Sequence, residues 1–276
     1  MTVPARCPEG PVDVLLVVGG RWHDMGFARA ELLAGLDGHD AARVTVRDDF
    51  SDLSAIATAD AVVAYTCDVR PTTAQAQALT ARVADGGRLL GLHATNSAID
   101  APVPGAERIF RTPDAMPEFT ALLGNRFLGH PPITQVQVDV VDASDPLVAG
   151  LSSFTTTDEV YVSRWSDDAH VLLDTELTAQ CRGFEQIPEL TAVLPGARLP
   201  VLARRRVGGG VVYFTLGHCR GRFDVQDLGH ADLGMRDRIA WESPGYREVL
   251  GRCLAWAVHG DSFDQQFPCH PLQEGS

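Results

Sequence analysis

Arg88-Leu89-Leu90-Gly91-Leu92-His93-Ala94-Thr95-Asn96 is the stretch that decides the fold. An apolar run ends in a turn bearing an imidazole, and the residues after it can turn into a helix. In an open α/β sheet, ligands bind beyond the carboxyl ends of the strands. A tight strand-to-helix turn there lifts one side chain into the crevice, where hydrolases hold a nucleophile. Here that side chain is His93, and an imidazole serves at neutral pH as proton carrier, electrophile or metal ligand. The plain alternative is a histidine that caps the next helix. A second apolar strand, Val211-Val212-Tyr213-Phe214, ends the same way at Gly217-His218, which favours the functional reading.

Upstream, strands and helices alternate. Val14-Leu15-Leu16-Val17-Val18 is unbroken apolar sequence, as in a strand buried on both faces. Gly19-Gly20 lets the chain turn, and Phe27, Leu32, Leu33 and Leu36 share one side of a helix over 24–36 that Gly38 stops. Residues 42–46 and 60–65 read as strands, with Asp52 or Ser51 capping a helix between them. A helix over 72–83 starts with Thr72 and Gln75 at capping-box spacing. This beat predicts a parallel sheet with right-handed crossovers.

Downstream the beat breaks. Residues 100–113 read as a Pro-rich surface loop and 116–123 as a short helix. Strands are expected over 133–141, 154–162, 170–173 and 201–203, with Pro200 at the start of the last. Residues 220–239 read as polar loop and 246–258 as a helix. The expected organisation is one domain over 11–259, with flexible tails over 1–10 and 260–276.

The totals exclude some classes. The chain has 276 residues, 45% of them hydrophobic, and a formal net charge of −13, which argues against a nucleic-acid-binding protein or a basic membrane anchor. No apolar run is long enough to span a bilayer, and the start lacks the apolar core of a secretory signal. The six cysteines are scattered without a Cys-x-x-Cys pair, so neither a disulfide framework nor a thiolate zinc site is suggested. A reducing cytoplasm is the expected location.

Several stretches together resemble the ThuA-like (trehalose utilisation) family of the class I glutamine amidotransferase-like superfamily. They are Gly19-Gly20 with His23-Asp24, Gly86-Gly87 with Gly91-Leu92-His93, and Phe127-Leu128-Gly129-His130-Pro131. Asp158-Glu159-Val160-Tyr161 and Gly210-Val211-Val212-Tyr213-Phe214-Thr215-Leu216-Gly217-His218 complete the set. They run in family order over roughly residues 12 to 258. The resemblance implies a flavodoxin-like three-layer α/β/α fold with a mostly parallel central sheet. Two positions depart from it. Asp145-Pro146-Leu147 stands where the family often has His-Pro-Ile, and Gly209-Gly210 stands where it often has Gly-Arg.

Glutamine amidotransferases need a cysteine at the elbow, and the elbow residue here is His93, so glutaminase chemistry is not expected. Cys219 is the rival nucleophile, but neighbours at a strand end point in opposite directions, so Cys219 is assigned to packing. The resemblance would bring most of His23, His93, His130, Glu159 and His218 into one crevice. Imidazoles with a carboxylate suit zinc, manganese or a similar divalent ion. The metal-ligand candidates are therefore His23, His93, His130 and His218, and the catalytic candidates are His93, His218 and Glu159. His130, before Pro131, is equally readable as a structural residue. Adjacent carboxylates on a strand face opposite sides, so Glu159 joins the site while Asp158 caps or faces solvent. Asp24 is either a helix cap or a substrate contact, and Trp22, Tyr161 and Trp165 are candidates for a sugar-stacking wall. His39, His170, His230, His259 and His270 are assigned to surface or loop.

The resemblance further implies sugar catabolism, in particular of 3-keto-glycosides made by a partner oxidoreductase. No nucleotide cofactor, nucleic acid or membrane is expected; a small-molecule sugar is, and self-association into a homo-oligomer is compatible with the sequence. The rival is a non-catalytic carbohydrate-binding or interaction domain.

Overall fold

The run Val14–Val18 forms the heart of β1 (Val12–Gly20) in the computed structural model, which describes residues 10–102 and 108–263. Its side chains alternate between two cores: Val14, Leu16 and Val18 enter one, Leu15 and Val17 the other. The beat continues through α1 (Met25–Asp37), β2 (Ala42–Arg47), α2 (Leu53–Thr58), β3 (Ala61–Cys67), α3 (Thr73–Ala84) and β4 (Arg88–Leu92). Each helix starts on a side chain that satisfies a free backbone N–H. Asp24 accepts from Phe27 N, Asp52 accepts from Ala55 N, and Thr72 with Gln75 closes a capping box.

After β4 come α4 (Pro117–Leu123), β5 (Asn125–Gly129), β6 (Thr134–Val140), β7 (Phe154–Asp158), β8 (Val162–Trp165) and β9 (His170–Glu176). They are followed by α5 (Pro188–Thr191), β10 (Arg198–Arg205), β11 (Val211–Phe214), α6 (Ile239–Glu242) and α7 (Pro244–His259). The nine-stranded sheet has the order β2-β1-β3-β4-β11-β10-β9-β6-β7. From β2 to β11 all neighbours are parallel, in the flavodoxin-like order. From β11 to β7 all are antiparallel. Buried residues of α1 and α7 fill one face of the parallel half, and those of α2, α3 and α4 fill the other. The α/β layer fold is therefore as expected, with an antiparallel wing added to the parallel half that carries the site.

Local differences have local causes. The segment after His93 makes one 3₁₀ turn, His93–Asn96, and then leaves extended instead of starting a helix. β5 and β8 pair with each other outside the main sheet, a pairing no periodicity announced because both strands are only four or five residues long. Pro200 lies inside β10, a central strand, next to a register shift that takes up its missing N–H. Residues 260–263, expected to begin a flexible tail, belong to the domain: Asp261 pairs with the buried Arg204, and Phe263 is buried. Residues 1–9 and 264–276, the rest of the expected tails, lie outside the described residues, as do 103–107 of the Pro-rich loop. The described flanks of that loop pair at Asp100–Arg111 and Phe110–Phe184. Among the described residues, no helix is long and apolar enough to cross a membrane.

Candidate metal centre

The carboxyl ends of the parallel strands carry the site. Among the described residues, the non-glycine residues in left-handed backbone are Trp22 (φ 65°), Asp68 (φ 56°) and His93 (φ 46°), which follow β1, β3 and β4. Such conformations cost about 1–3 kcal/mol each and persist where surrounding contacts over-determine them. At His93 the contacts are visible. The Tyr213 hydroxyl, from β11, donates to His93 O at 2.6 Å and accepts from Asn96 N at 2.8 Å. Thr95 Oγ1 accepts from Thr66 N at 3.1 Å and lies 2.7 Å from Leu92 O, tying the turn to β3.

His218 is held with equal care. Gly217 has φ 123°, and a Cβ there would come within 2.6 Å of the Tyr246 hydroxyl oxygen, so only glycine fits. The Asp158 carboxylate accepts Gly217 N at 2.7 Å, His218 N at 3.1 Å and Glu159 N at 2.7 Å. Burial pushes the Asp158 carboxyl up to about 7 against the pull of these donors. Asp158 thus takes the expected capping role, and Glu159 enters the site.

The ligand atoms of His23, His93, Glu159 and His218 lie within 4.8 Å of one another, and all four residues are buried. His23 Nδ1 lies 3.3 Å from Arg21 O and His93 Nδ1 lies 2.9 Å from Thr215 O. A carbonyl only accepts, so both Nδ1 atoms carry the hydrogen and both Nε2 atoms are lone-pair donors. Those two Nε2 atoms face each other at 2.9 Å, and the Tyr161 hydroxyl donates to the one on His93 at 3.0 Å. Burial, joined by the charges of neighbouring imidazoles, holds His23 well below 6.5. Burial also lowers His93 to about 3 although Glu159 opposes the shift. Neither ring is therefore protonated at neutral pH. Burial raises the Glu159 carboxyl, but His130, His218 and Arg220 outweigh it and hold the group well below 4.5. The centre therefore sets an ionised carboxylate beside the uncharged His23 and His93 rings. Both ring nitrogens of His218 are buried without a hydrogen-bond partner. Its Nδ1 lies 3.2 Å from Glu159 Oε2, near in distance but not aligned as a hydrogen bond. Converging lone pairs, an orphaned imidazole and one carboxylate fit a divalent cation, and the anchored Nδ1–H groups are the outer contacts that orient histidine ligands.

Other expectations are redistributed. His130 does not join the four: Nδ1 donates to Pro131 O at 2.7 Å, and Nε2 stands 3.8 Å from Glu159 Oε1 at a quarter-exposed rim position. The peptide direction at His130-Pro131 spends one nitrogen locally and keeps the ring outside the group. Asp24 is occupied as the α1 cap and by Arg238, which leaves substrate contact without a free oxygen. Trp22 is buried, with Arg21 4.4 Å from its ring centre and its N–H on Asp227, so its face is not open for stacking. Trp165 packs edge-on against Tyr213 among side chains of the opposite sheet face. Tyr161 is in the centre, stacked on His93 at 4.7 Å. His39, assigned to surface or loop, lies in the loop between α1 and β2 and is buried there, with Nδ1 3.2 Å from His259 Nε2. His270 lies outside the described residues. Cys219 is buried, and loss of water pushes its thiol to about 12, which suits packing and not attack. Asp145, at a family departure, pairs with Arg204 at 3.1 Å, a structural role.

Two polar neighbours escaped the sequence reading. Arg220 places Nη2 3.5 Å from Glu159 Oε1, and Asp237 places Oδ2 3.9 Å from His218 Nε2. Arg220 was signalled only by standing two residues after His218, and Asp237 by nothing local.

A family model described as ThuA, trehalose utilisation, matches residues 13–257. Among solved structures, a ThuA-like protein of Bacteroides uniformis is 18% identical with a TM-score of 0.58, covering 93% of this chain and 96% of that one. A ThuA-like protein of Parabacteroides merdae is 17% identical with a TM-score of 0.57, covering 91% of each chain. At these identities the two structures speak for the fold. Among curated proteins there is no match.

Proposed function

This chain belongs to the ThuA family, and from that premise we propose that it is a carbohydrate-metabolism enzyme that isomerises or cleaves a keto-sugar or keto-glycoside. The observation that carries the reading is the convergence of the His23 and His93 lone pairs, one nitrogen of the otherwise unpartnered His218 ring and the Glu159 carboxylate in one buried centre. His23, His93, His218 and Glu159 would hold a zinc or manganese ion. When bound, it would polarise a substrate ketone and stabilise an enediolate.

A ketone acidifies the C–H beside it, and a positioned base then removes that proton. His130 fits this step best. It sits at the rim next to Glu159, with Nδ1–H fixed on Pro131 O and Nε2 left to face the incoming substrate. His93 and His218, expected from sequence to flank the reacting carbons as base and acid, serve as ligands in this arrangement because they are almost fully buried. The Tyr161 hydroxyl, kept protonated by burial and by the nearby Glu159 charge, donates to an oxygen or nitrogen at the centre. Arg220, a quarter exposed beside Glu159, supplies positive charge for a substrate oxygen. Return of the proton to the other face isomerises the carbon, and expulsion of the C1 substituent cleaves a glycoside. A sugar oxidoreductase would supply the ketone.

The test is elemental analysis of wild type and of His93→Ala/His218→Ala, with a screen of 3-keto-glycosides. Near one equivalent of a divalent ion, lost in the variant, is expected. Turnover should stop with a chelator and persist in Cys219→Ser. A wild type that takes up no divalent ion sinks the metal-assisted reaction. Sugar binding without exchange of the substrate C2 hydrogen with solvent would leave a non-catalytic carbohydrate-binding domain.

A further inference from the structure

His218 poses a question that its immediate ligand set does not answer. A buried imidazole carries at least one N–H, and a buried N–H needs an acceptor. Among the described residues two carboxylates face the ring: Glu159 on the Nδ1 side at 3.2 Å and Asp237 on the Nε2 side at 3.9 Å. Glu159 belongs to the cluster, so an N–H on Nδ1 would point a hydrogen into the space where the other ligands aim lone pairs. The arrangement that satisfies every group puts the hydrogen on Nε2, toward Asp237, and the lone pair on Nδ1.

The backbone prepares Asp237 for this. Arg220 N donates to Asp237 O at 2.7 Å, and Asp237 N donates to Arg220 O at 2.8 Å. This two-residue bridge is the neck of the loop that leaves the sheet after His218, and both neck residues reach the cluster. Arg220 reaches Glu159 and Asp237 reaches His218. Asp237 Oδ1 accepts Ile239 N at 3.5 Å, which leaves Oδ2 to the histidine. Closing the 3.9 Å gap to hydrogen-bond length takes a movement of about 1 Å by a partly exposed side chain.

We propose that Asp237 is a positioning residue for the proposed metal centre: it accepts the His218 Nε2–H and thereby directs the Nδ1 lone pair at the ion. The proposal rests on the reading of the cluster as a cation site. It extends to His218 the outer-contact logic that carbonyls supply at His23 and His93, with a carboxylate in place of a carbonyl. Asp237 touches neither the ion nor the substrate; it acts through the ring.

The experiment has two readouts on the full chain, compared across wild type, Asp237→Ala, Asp237→Asn and His218→Ala. The first is nitrogen-15 NMR of labelled histidine in the ion-free protein, which distinguishes a ring protonated at Nε2 from one protonated at Nδ1. Wild type should show the His218 signal, assigned by its loss in His218→Ala, in the Nε2–H form. Asp237→Ala should shift it toward Nδ1–H, and Asp237→Asn, whose amide oxygen still accepts, should retain it. The second is zinc affinity by competition with a chromogenic chelator. Asp237→Ala should lose about 10–100-fold and Asp237→Asn less. An unchanged His218 tautomer together with unchanged zinc affinity in Asp237→Ala overturns the proposal while the cation reading stands. A wild type that binds no zinc removes the cation reading, and the tautomer comparison then decides the Asp237–His218 contact by itself.

Discussion

Removing one hydroxyl, in Tyr213→Phe, should loosen the candidate site without touching any of its ligands. The Tyr213 ring is buried, and its oxygen serves both ends of the His93–Asn96 turn, donating to His93 O at 2.6 Å and accepting Asn96 N at 2.8 Å. Phenylalanine keeps the ring and its packing but leaves a carbonyl and an N–H buried without partners. A buried backbone group left unsatisfied costs about 1–3 kcal/mol, so the pair should cost about 2–4 kcal/mol once the hydroxyl's own desolvation is returned. That is a large share of the about 5–15 kcal/mol that holds a typical domain. His93 sits at φ 46°, a conformation the chain would leave if released, so the turn should relax first. Urea unfolding followed by tryptophan fluorescence measures the first effect, at unchanged m value. Hydrogen exchange at the Asn96 amide measures the second. A loss below about 0.5 kcal/mol, the range of surface substitutions, with the Asn96 amide still protected, would refute the claim that Tyr213 holds the turn.

Three further outcomes are expected. Gly91→Ala would bring a Cβ within 2.5 Å of Tyr213 Cδ2, on a ring whose hydroxyl is pinned; overpacking of about 1–3 kcal/mol should appear as a lower urea midpoint, and a midpoint at or above wild type contradicts it. Thr72→Ala removes the α3 capping box and should cost about 1 kcal/mol in the same assay while leaving metal content unchanged; a loss of metal would show that α3 is coupled to the site. Asp52 is held at about 2, below its ordinary 3.8, by Ser54, the Ala55 N–H and Arg47. A lowered carboxylate contributes stability that is present above 3.8 and fades as pH falls toward 2, so melting temperatures of Asp52→Asn should fall less steeply than wild type over that interval; parallel acid slopes would remove Asp52 from the account.

Much of the first half of the chain was legible because its signals are local. The unbroken run Val14–Val18, the Thr72–Gln75 box and the strand end at Leu92 each act within a few residues, and each element appears within about two residues of its expected bounds. The second half was read as separate strands without partners. β5 and β8 went unseen, since antiparallel pairing of segments this short leaves no periodic mark.

The sequence alone determined the parallel α/β half, the imidazoles at its strand ends and, through ordered motifs, the family. These follow from side-chain periodicity and turn chemistry, which act over short distances along the chain. Only the tertiary structure decided that His23, His93, Glu159 and His218 form one group, that His130 stands at its rim, and that Asp24 and Trp22 are occupied elsewhere. It also decided which nitrogens carry hydrogens, because a tautomer is set by the acceptor opposite the ring. Those acceptors, Arg21 O and Thr215 O, are fixed by backbone paths, and for His93 the acceptor lies 122 residues away in sequence.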